Sequence, residues 1–173
     1  MDRIIPTQAL PEIEVGLAGG GRWSLKDNAP ASMLMIDVYR GLHCPRCRDH
    51  LEALAARLNE ARGLGLDVIA VSTDPAERAE EAAREWAVDG LTIGHSLPLD
   101  TARRLGCYTS TSIREGETDS FAEPGVFFVR PDLTLYGAVV GTFPFARPAI
   151  DDLFEVASIV RERDYPPRGS LAA

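Results

Sequence analysis

The stretch Met33-Leu34-Met35-Ile36-Asp37-Val38-Tyr39-Arg40-Gly41-Leu42-His43-Cys44-Pro45-Arg46-Cys47-Arg48 decides how this chain folds. Met33 to Tyr39 is an almost continuous apolar run bounded by Pro30 upstream and Gly41 downstream, the pattern of a strand buried on both faces and therefore central in a sheet. A short loop, Arg40 to His43, follows it. Pro45 then stands where a first helical residue is tolerated. Cys47, Leu51, Leu54 and Leu58 recur at helical spacing, which predicts a helix to about Arg62 that stops at Gly63 and Gly65.

The pattern repeats toward the C-terminus. Leu66 to Ser72 reads as a second strand, and Asp74-Pro75-Ala76-Glu77 has the N-cap, proline and N3 glutamate of a helix start, predicting a helix over about Pro75 to Trp86. Leu91 to Ile93 reads as a short strand and Thr101 to Leu105 as a short helix capped by Asp100. Val126 to Val129 and Leu133 to Val140 form a hairpin pattern around Arg130-Pro131-Asp132, and Pro148 opens a last helix with the stripe Ile150, Leu153, Phe154, Ala157 and Val160. Upstream, Gly19-Gly20-Gly21 suggests a turn, after which Trp23 and Leu25 read as an edge strand or hairpin arm. The order predicts an α/β fold in which helices flank a central mixed β-sheet that carries an N-terminal hairpin extension. At 173 residues a single domain over 1–173 is expected, with a loosely held tail over about 161–173.

Composition narrows the function classes. The chain is 45% hydrophobic and 25% charged, which is globular, and its net charge of -8 opposes phosphate backbones and anionic lipid. Nucleic acid and membrane surfaces are therefore not expected partners. The segment Met1 to Gly16 mixes acidic and amide side chains where a secretory leader would be apolar, so the reading places the protein in the cytosol, starting near Met1. Three cysteines cannot all pair within one chain, and in a reducing compartment two of them separated by two residues are more often catalytic or metal-binding than structural.

The chemistry is expected at Cys44 and Cys47. Unpaired amides and the positive end of the helix dipole stabilise a thiolate at a helix N-terminus, and Arg46, Arg48 and His43 can add to that field. Cysteines at this spacing on a first helical turn can approach closely enough for a disulfide. Cys44, at the cap and nearer solvent, would attack a substrate disulfide, and Cys47, deeper in the turn, would resolve it.

Together these segments resemble the peroxiredoxin-like, AhpC/TSA-type branch of the thioredoxin superfamily, from about Pro11 to Val160. Proteins of that fold carry a Cys-x-x-Cys after the central strand, faced by a proline, usually cis, before a later strand; Glu123-Pro124-Gly125-Val126 resembles that element. Val68-Ile69-Ala70-Val71-Ser72-Thr73-Asp74, Leu97-Pro98-Leu99-Asp100 and Gly21-Arg22-Trp23-Ser24-Leu25 resemble peroxiredoxin segments. Aligned on the Pro-x-x-x-Thr-x-x-Cys motif of peroxiredoxins, Cys47 takes the peroxidatic position, Cys44 replaces the threonine and Arg40 the proline. Pro124 stands where those proteins carry an arginine near the thiolate, and Arg147 or Arg40 is the candidate substitute. The resemblance implies an antioxidant oxidoreductase, performing thiol-disulfide exchange, peroxide reduction or both. It would need no metal or organic cofactor, would draw electrons from a thioredoxin-like or low-molecular-weight thiol, and is compatible with a homodimer.

Other readings remain. A zinc site could draw on His43, Cys44, Cys47 and His50, although Pro45 makes a tetrahedral cage awkward and no second Cys-x-x-Cys exists. A non-catalytic binding module that docks through Phe143 to Phe145 is the alternative from another class. Cys107 reads as a small buried residue, with a resolving role as a third thiol as the rival. His50 reads as a surface helical residue rather than a proton shuttle, and Trp86 as core.

Overall fold

In the computed structural model, which describes residues 4–171, Met33–Val38 is a strand whose six residues are all buried. Met1 to Arg3, where the chain start was placed, and Ala172 and Ala173 of the expected tail lie outside the described residues. Successive side chains of this strand enter different apolar clusters: Met33 and Met35 pack on one side, Leu34, Ile36 and Val38 on the other. A strand lined on both faces has no polar alternation, which is why its sequence reads as one apolar run.

The strands are β1 (Glu14–Leu17), β2 (Arg22–Ser24), β3 (Met33–Val38), β4 (Leu66–Val71), β5 (Thr92–His95), β6 (Thr109–Thr111), β7 (Ser120–Ala122), β8 (Gly125–Val129) and β9 (Leu135–Val140). Seven of them form one sheet in the order β2-β1-β5-β4-β3-β8-β9, and β6 pairs with β7 separately. β3 runs parallel to β4 and antiparallel to β8, so the sheet is mixed as expected. β1 and β2 are the N-terminal hairpin, turned by three glycines at φ of +89°, +101° and +90°.

The helices are α1 (Pro45–Ala55), α2 (Leu58–Gly63), α3 (Ala76–Glu85), α4 (Leu99–Leu105) and α5 (Ile150–Arg163). None of the described helices is long and apolar enough to cross a membrane. Several boundaries differ from expectation. The helix expected from Pro45 to about Arg62 is broken at Arg57, which leaves helical geometry at φ -117° and ψ 15°. Its guanidinium bonds Asp151 of α5 at 2.6 Å and Glu60 at 2.8 Å and lies over the Phe154 ring. The last helix continues to Arg163, past the expected start of the tail, and the Tyr136 hydroxyl donates to the Tyr165 carbonyl at 3.1 Å.

Two expected caps do other work. Pro98 rather than Asp100 caps α4, and Asp100 pairs with Arg103 at 2.9 Å. Pro75 occupies the cap of α3, while the fully buried Asp74 carboxylate accepts the Leu42 amide at 2.7 Å and pairs with Arg78 at 3.3 Å. The loop after β3 is thus tied to the loop after β4. Gly41 has φ +126°, and a Cβ there would stand 2.6 Å from the Asp74 carboxylate oxygens, so close approach and backbone conformation both require glycine.

Candidate active site

The loop fixed by Asp74 delivers Cys44 to the start of α1. Cys44 is the N-cap residue, with extended backbone (φ -103°, ψ 100°), and its Sγ accepts the Cys47 amide at 3.2 Å. Pro45 opens the helix, where its missing N–H leaves no bond unmade. The two Cα atoms are 5.3 Å apart and the sulfurs are joined as a disulfide, within the geometric limits for such a bridge. Both cysteines are 0% exposed, in one apolar cluster with Tyr39, Leu51 and Val126. The expectation that Cys44 lies nearer solvent is therefore corrected: Cys44 packs into the same apolar cluster as Cys47 and is as fully buried, and the exposed residues of this segment are Pro45 and Arg46 between them.

The charged group at the sulfurs is Arg147, from the loop that leads into α5. Its Nη1 lies 3.8 Å from Cys47 Sγ, and its Nη2 donates to Oδ1 of Asp37 on β3. The other carboxylate oxygen of Asp37 meets Nε2 of His50 at 2.7 Å. Asp37 is 0% exposed and the Arg147 side chain 7%. Burial pushes the Asp37 carboxyl up, but Arg147 and His50 outweigh it and hold the group below its usual range, as an anion. A chain of contacts therefore runs His50, Asp37, Arg147, Cys47.

The reading of His50 as a surface residue is overturned, and Asp37 was absorbed into the apolar run. A signal for both was present: an aspartate inside a strand buried on both faces needs a cationic or donor partner. His50 follows Cys47 by three residues on α1, so it presents to the same side.

The remaining candidates are placed differently. Arg46 is exposed, and Arg48 pairs with Glu52 at 2.8 Å on the outer face of α1. Neither is held against the sulfurs as Arg147 is. His43 packs on Phe121 at 4.7 Å, and burial together with the Arg40 charge lowers its pKa, so it adds no positive field near neutral pH. Arg40 pairs with Glu123 at 3.2 Å and Glu117 at 3.8 Å and lies over the Phe121 ring, which commits its charge away from Cys47. Pro124 is buried, follows a trans peptide bond rather than the cis one expected of its counterpart, and lines a hollow with Phe143, Ala146 and Arg147. Cys107 is 5% exposed and packs behind Gly125 in the cluster on the opposite face of the sheet from the other two cysteines. Among the described residues, no three His, Cys, Asp or Glu side chains converge as a metal cage would require.

The AhpC/TSA family profile matches residues 6–137. No curated protein sequence gives a significant match. Among solved structures, peroxidoxin BcpB from Mycobacterium tuberculosis aligns with a TM-score of 0.76 at 14% identity, covering 92% of this chain and 99% of that one. The reduced 2-Cys peroxiredoxin of Plasmodium vivax aligns at 0.76 and 9% identity over 94% of this chain and 84% of its own. AhpC from Enterococcus faecalis gives 0.72 at 18% identity over 95% and 98%. The likeness is one of fold, the thioredoxin-like arrangement of a central mixed sheet and flanking helices.

Proposed function

The chain belongs to the AhpC/TSA family, and from that premise we propose that it is a thiol-dependent peroxidase that cycles the Cys44–Cys47 pair. The observation that carries this reading is Arg147 Nη1 at 3.8 Å from Cys47 Sγ. A guanidinium fixed beside a sulfur favours its ionised form, and it stabilises negative charge developing on an attacked peroxide without having to reorganise.

In the reduced protein the ionised Cys47 sulfur attacks the terminal oxygen of a hydroperoxide. The O–O bond breaks, Cys47 becomes a sulfenic acid, and the departing oxygen takes a proton to leave as an alcohol or as water. The Cys44 thiol gives up its proton as its sulfur attacks Cys47 Sγ, expelling the hydroxyl as water and closing the disulfide. A thioredoxin-like dithiol, or two equivalents of a low-molecular-weight thiol, reopens the bond and is itself oxidised to a disulfide. Both sulfurs are sealed from solvent when joined, so a reductant reaches the bond only when a covering segment moves.

A second reading, dithiol exchange with Cys44 as the attacking thiol, is favoured by the Cys47 amide donated to Cys44 Sγ at 3.2 Å. It is also favoured by the absence of the threonine that would hold a peroxide. Mass spectrometry after one equivalent of hydrogen peroxide separates the two. Fast disulfide formation with peroxide consumption supports the peroxidase. A sluggish response beside rapid reaction with a small disulfide supports the exchange enzyme.

Arg147→Met is expected to slow peroxide consumption by roughly a hundredfold, the order seen when one transition-state donor is removed. Stopped-flow consumption of hydrogen peroxide measures it; an unchanged second-order rate would remove Arg147 from the chemistry.

A further inference from the structure

The four linked groups can all carry charge, and their sum changes with redox state. In the disulfide form the Asp37 and Arg147 charges cancel, and His50 Nε2 lies against the other carboxylate oxygen of Asp37. Reduction with Cys47 ionised adds one negative charge among groups that are 0–8% exposed. An uncompensated charge there is expensive, so the site must take a proton or bind a cation.

The proton has few places to go. Arg147 is already fully protonated. Protonating Asp37 would strip Arg147 of its anchor, and the Arg147 guanidinium beside it opposes that protonation. Protonating Cys47 would forfeit the contact with Arg147 on which its reactivity rests. Imidazole is the side chain that exchanges charge in the neutral range, and His50 already directs Nε2 at Asp37. Its side chain is 8% exposed where Asp37 is 0%, so within this pair it is the one with an exit to solvent. The groups facing His50 are Asp37 from β3 and, across that carboxylate, Arg147 from the loop before α5. Tyr39 stands two residues beyond Asp37, and burial raises its phenol so that it stays neutral. On its own helix Arg46 lies one turn earlier and points to solvent.

Resting on the redox reading above, we infer that His50 is a positioning residue which, through Asp37 and Arg147, takes up a proton when the disulfide is reduced and so lets Cys47 remain a thiolate. The step balances. A dithiol reductant loses two electrons and two protons, one proton ends on the Cys44 sulfur and the other on His50, and the S–S bond becomes a Cys44 thiol and a Cys47 thiolate. When Cys47 is later oxidised and the disulfide re-forms, His50 returns its proton to the departing oxygen species by way of solvent.

The test is the number of protons taken up per electron pair. The protein is equilibrated with dithiothreitol and its disulfide at a series of pH values from about 5.5 to 8.5, and the Cys44–Cys47 bond is quantified by alkylation and mass spectrometry. Wild type should take up close to two protons in the part of this range between the His50 titrations of the oxidised and reduced forms. His50→Gln keeps a donor for Asp37 but cannot be protonated, and should fall to one wherever Cys47 is ionised. In wild type, the imidazole resonances of His50 should titrate at a pH at least one unit higher in the reduced protein than in the oxidised one, a tenfold change in proton affinity. The same titration pH in both redox states, or an identical proton count for His50→Gln, overturns the inference. If no dithiol ratio interconverts the two forms, the redox function itself falls, and the inference with it.

Discussion

Cys47→Ser is expected to abolish peroxide reduction, lowering its rate by on the order of a thousandfold or more, because the nucleophile beside Arg147 is gone. Cys44→Ser should leave the first oxidation fast and stall the cycle. With its nearest partner absent, Cys47 would hold a sulfenic acid and over-oxidise with excess peroxide, visible as added oxygen in the intact mass. Toward a small disulfide the proposed roles reverse: with Cys44 as the attacking thiol, Cys47→Ser should accumulate a mixed disulfide on Cys44. The two assignments share one cause. Arg147 stands at Cys47 Sγ while the helix amide stands at Cys44 Sγ, so each sulfur has a different stabiliser. Wild-type peroxide consumption by Cys47→Ser would move the peroxidatic role to Cys44 and leave Arg147 without a part in it.

The strand, loop and helix around the cysteines are legible in sequence because their signals are local: an apolar run, Pro45 at a first turn, and leucines at helical spacing. What sequence reading missed depends on contacts between distant segments. The break at Arg57 is held in part by Asp151, ninety-four positions away in the chain. The Asp74-Pro75 start has the composition of a capping box, but its carboxylate is taken by the Leu42 amide, which no spacing rule anticipates. β6 and β7 escaped notice because Thr109–Thr111 is polar and short, and Ser110 reaches the buried Glu123 at 2.6 Å only once the strands are paired. At the site, Arg147 was one of two guanidinium candidates, and the choice rests on the ion pairs that turn Arg40 toward Glu123 and Glu117. His50 reads as surface when α1 is taken alone; its partner shows only when the aspartate inside the buried β3 run is set beside the three-residue spacing from Cys47.

That carboxylate carries the largest expected effect on stability. Asp37→Ala removes the anion between two cationic or donor groups and leaves Arg147, 7% exposed, without its ion-pair partner. Breaking a buried pair from one side costs about 3–5 kcal/mol. In a chain of this length that lowers the melting temperature by roughly 10 °C. Asp37→Asn keeps the shape and a bond to His50 but loses the charge, and should fall between. The pH dependence has a definite sign. Burial raises the Asp37 carboxyl, Arg147 and His50 lower it further than that, and the net folded value lies below the usual one. Such a group adds stability above the unfolded carboxylate range, near pH 4, and loses it as pH falls through the folded value. Wild type should therefore lose more stability than Asp37→Asn on acidification below about pH 4. Thermal melts from neutral to acid pH measure both effects. Replacing the pair together, Asp37→Leu with Arg147→Met, should recover part of the loss of Asp37→Ala, since two apolar side chains leave no unpaired charge behind. An Asp37→Ala melt within a degree or two of wild type, or parallel acid profiles for wild type and Asp37→Asn, would mean that solvent rather than Asp37 balances Arg147.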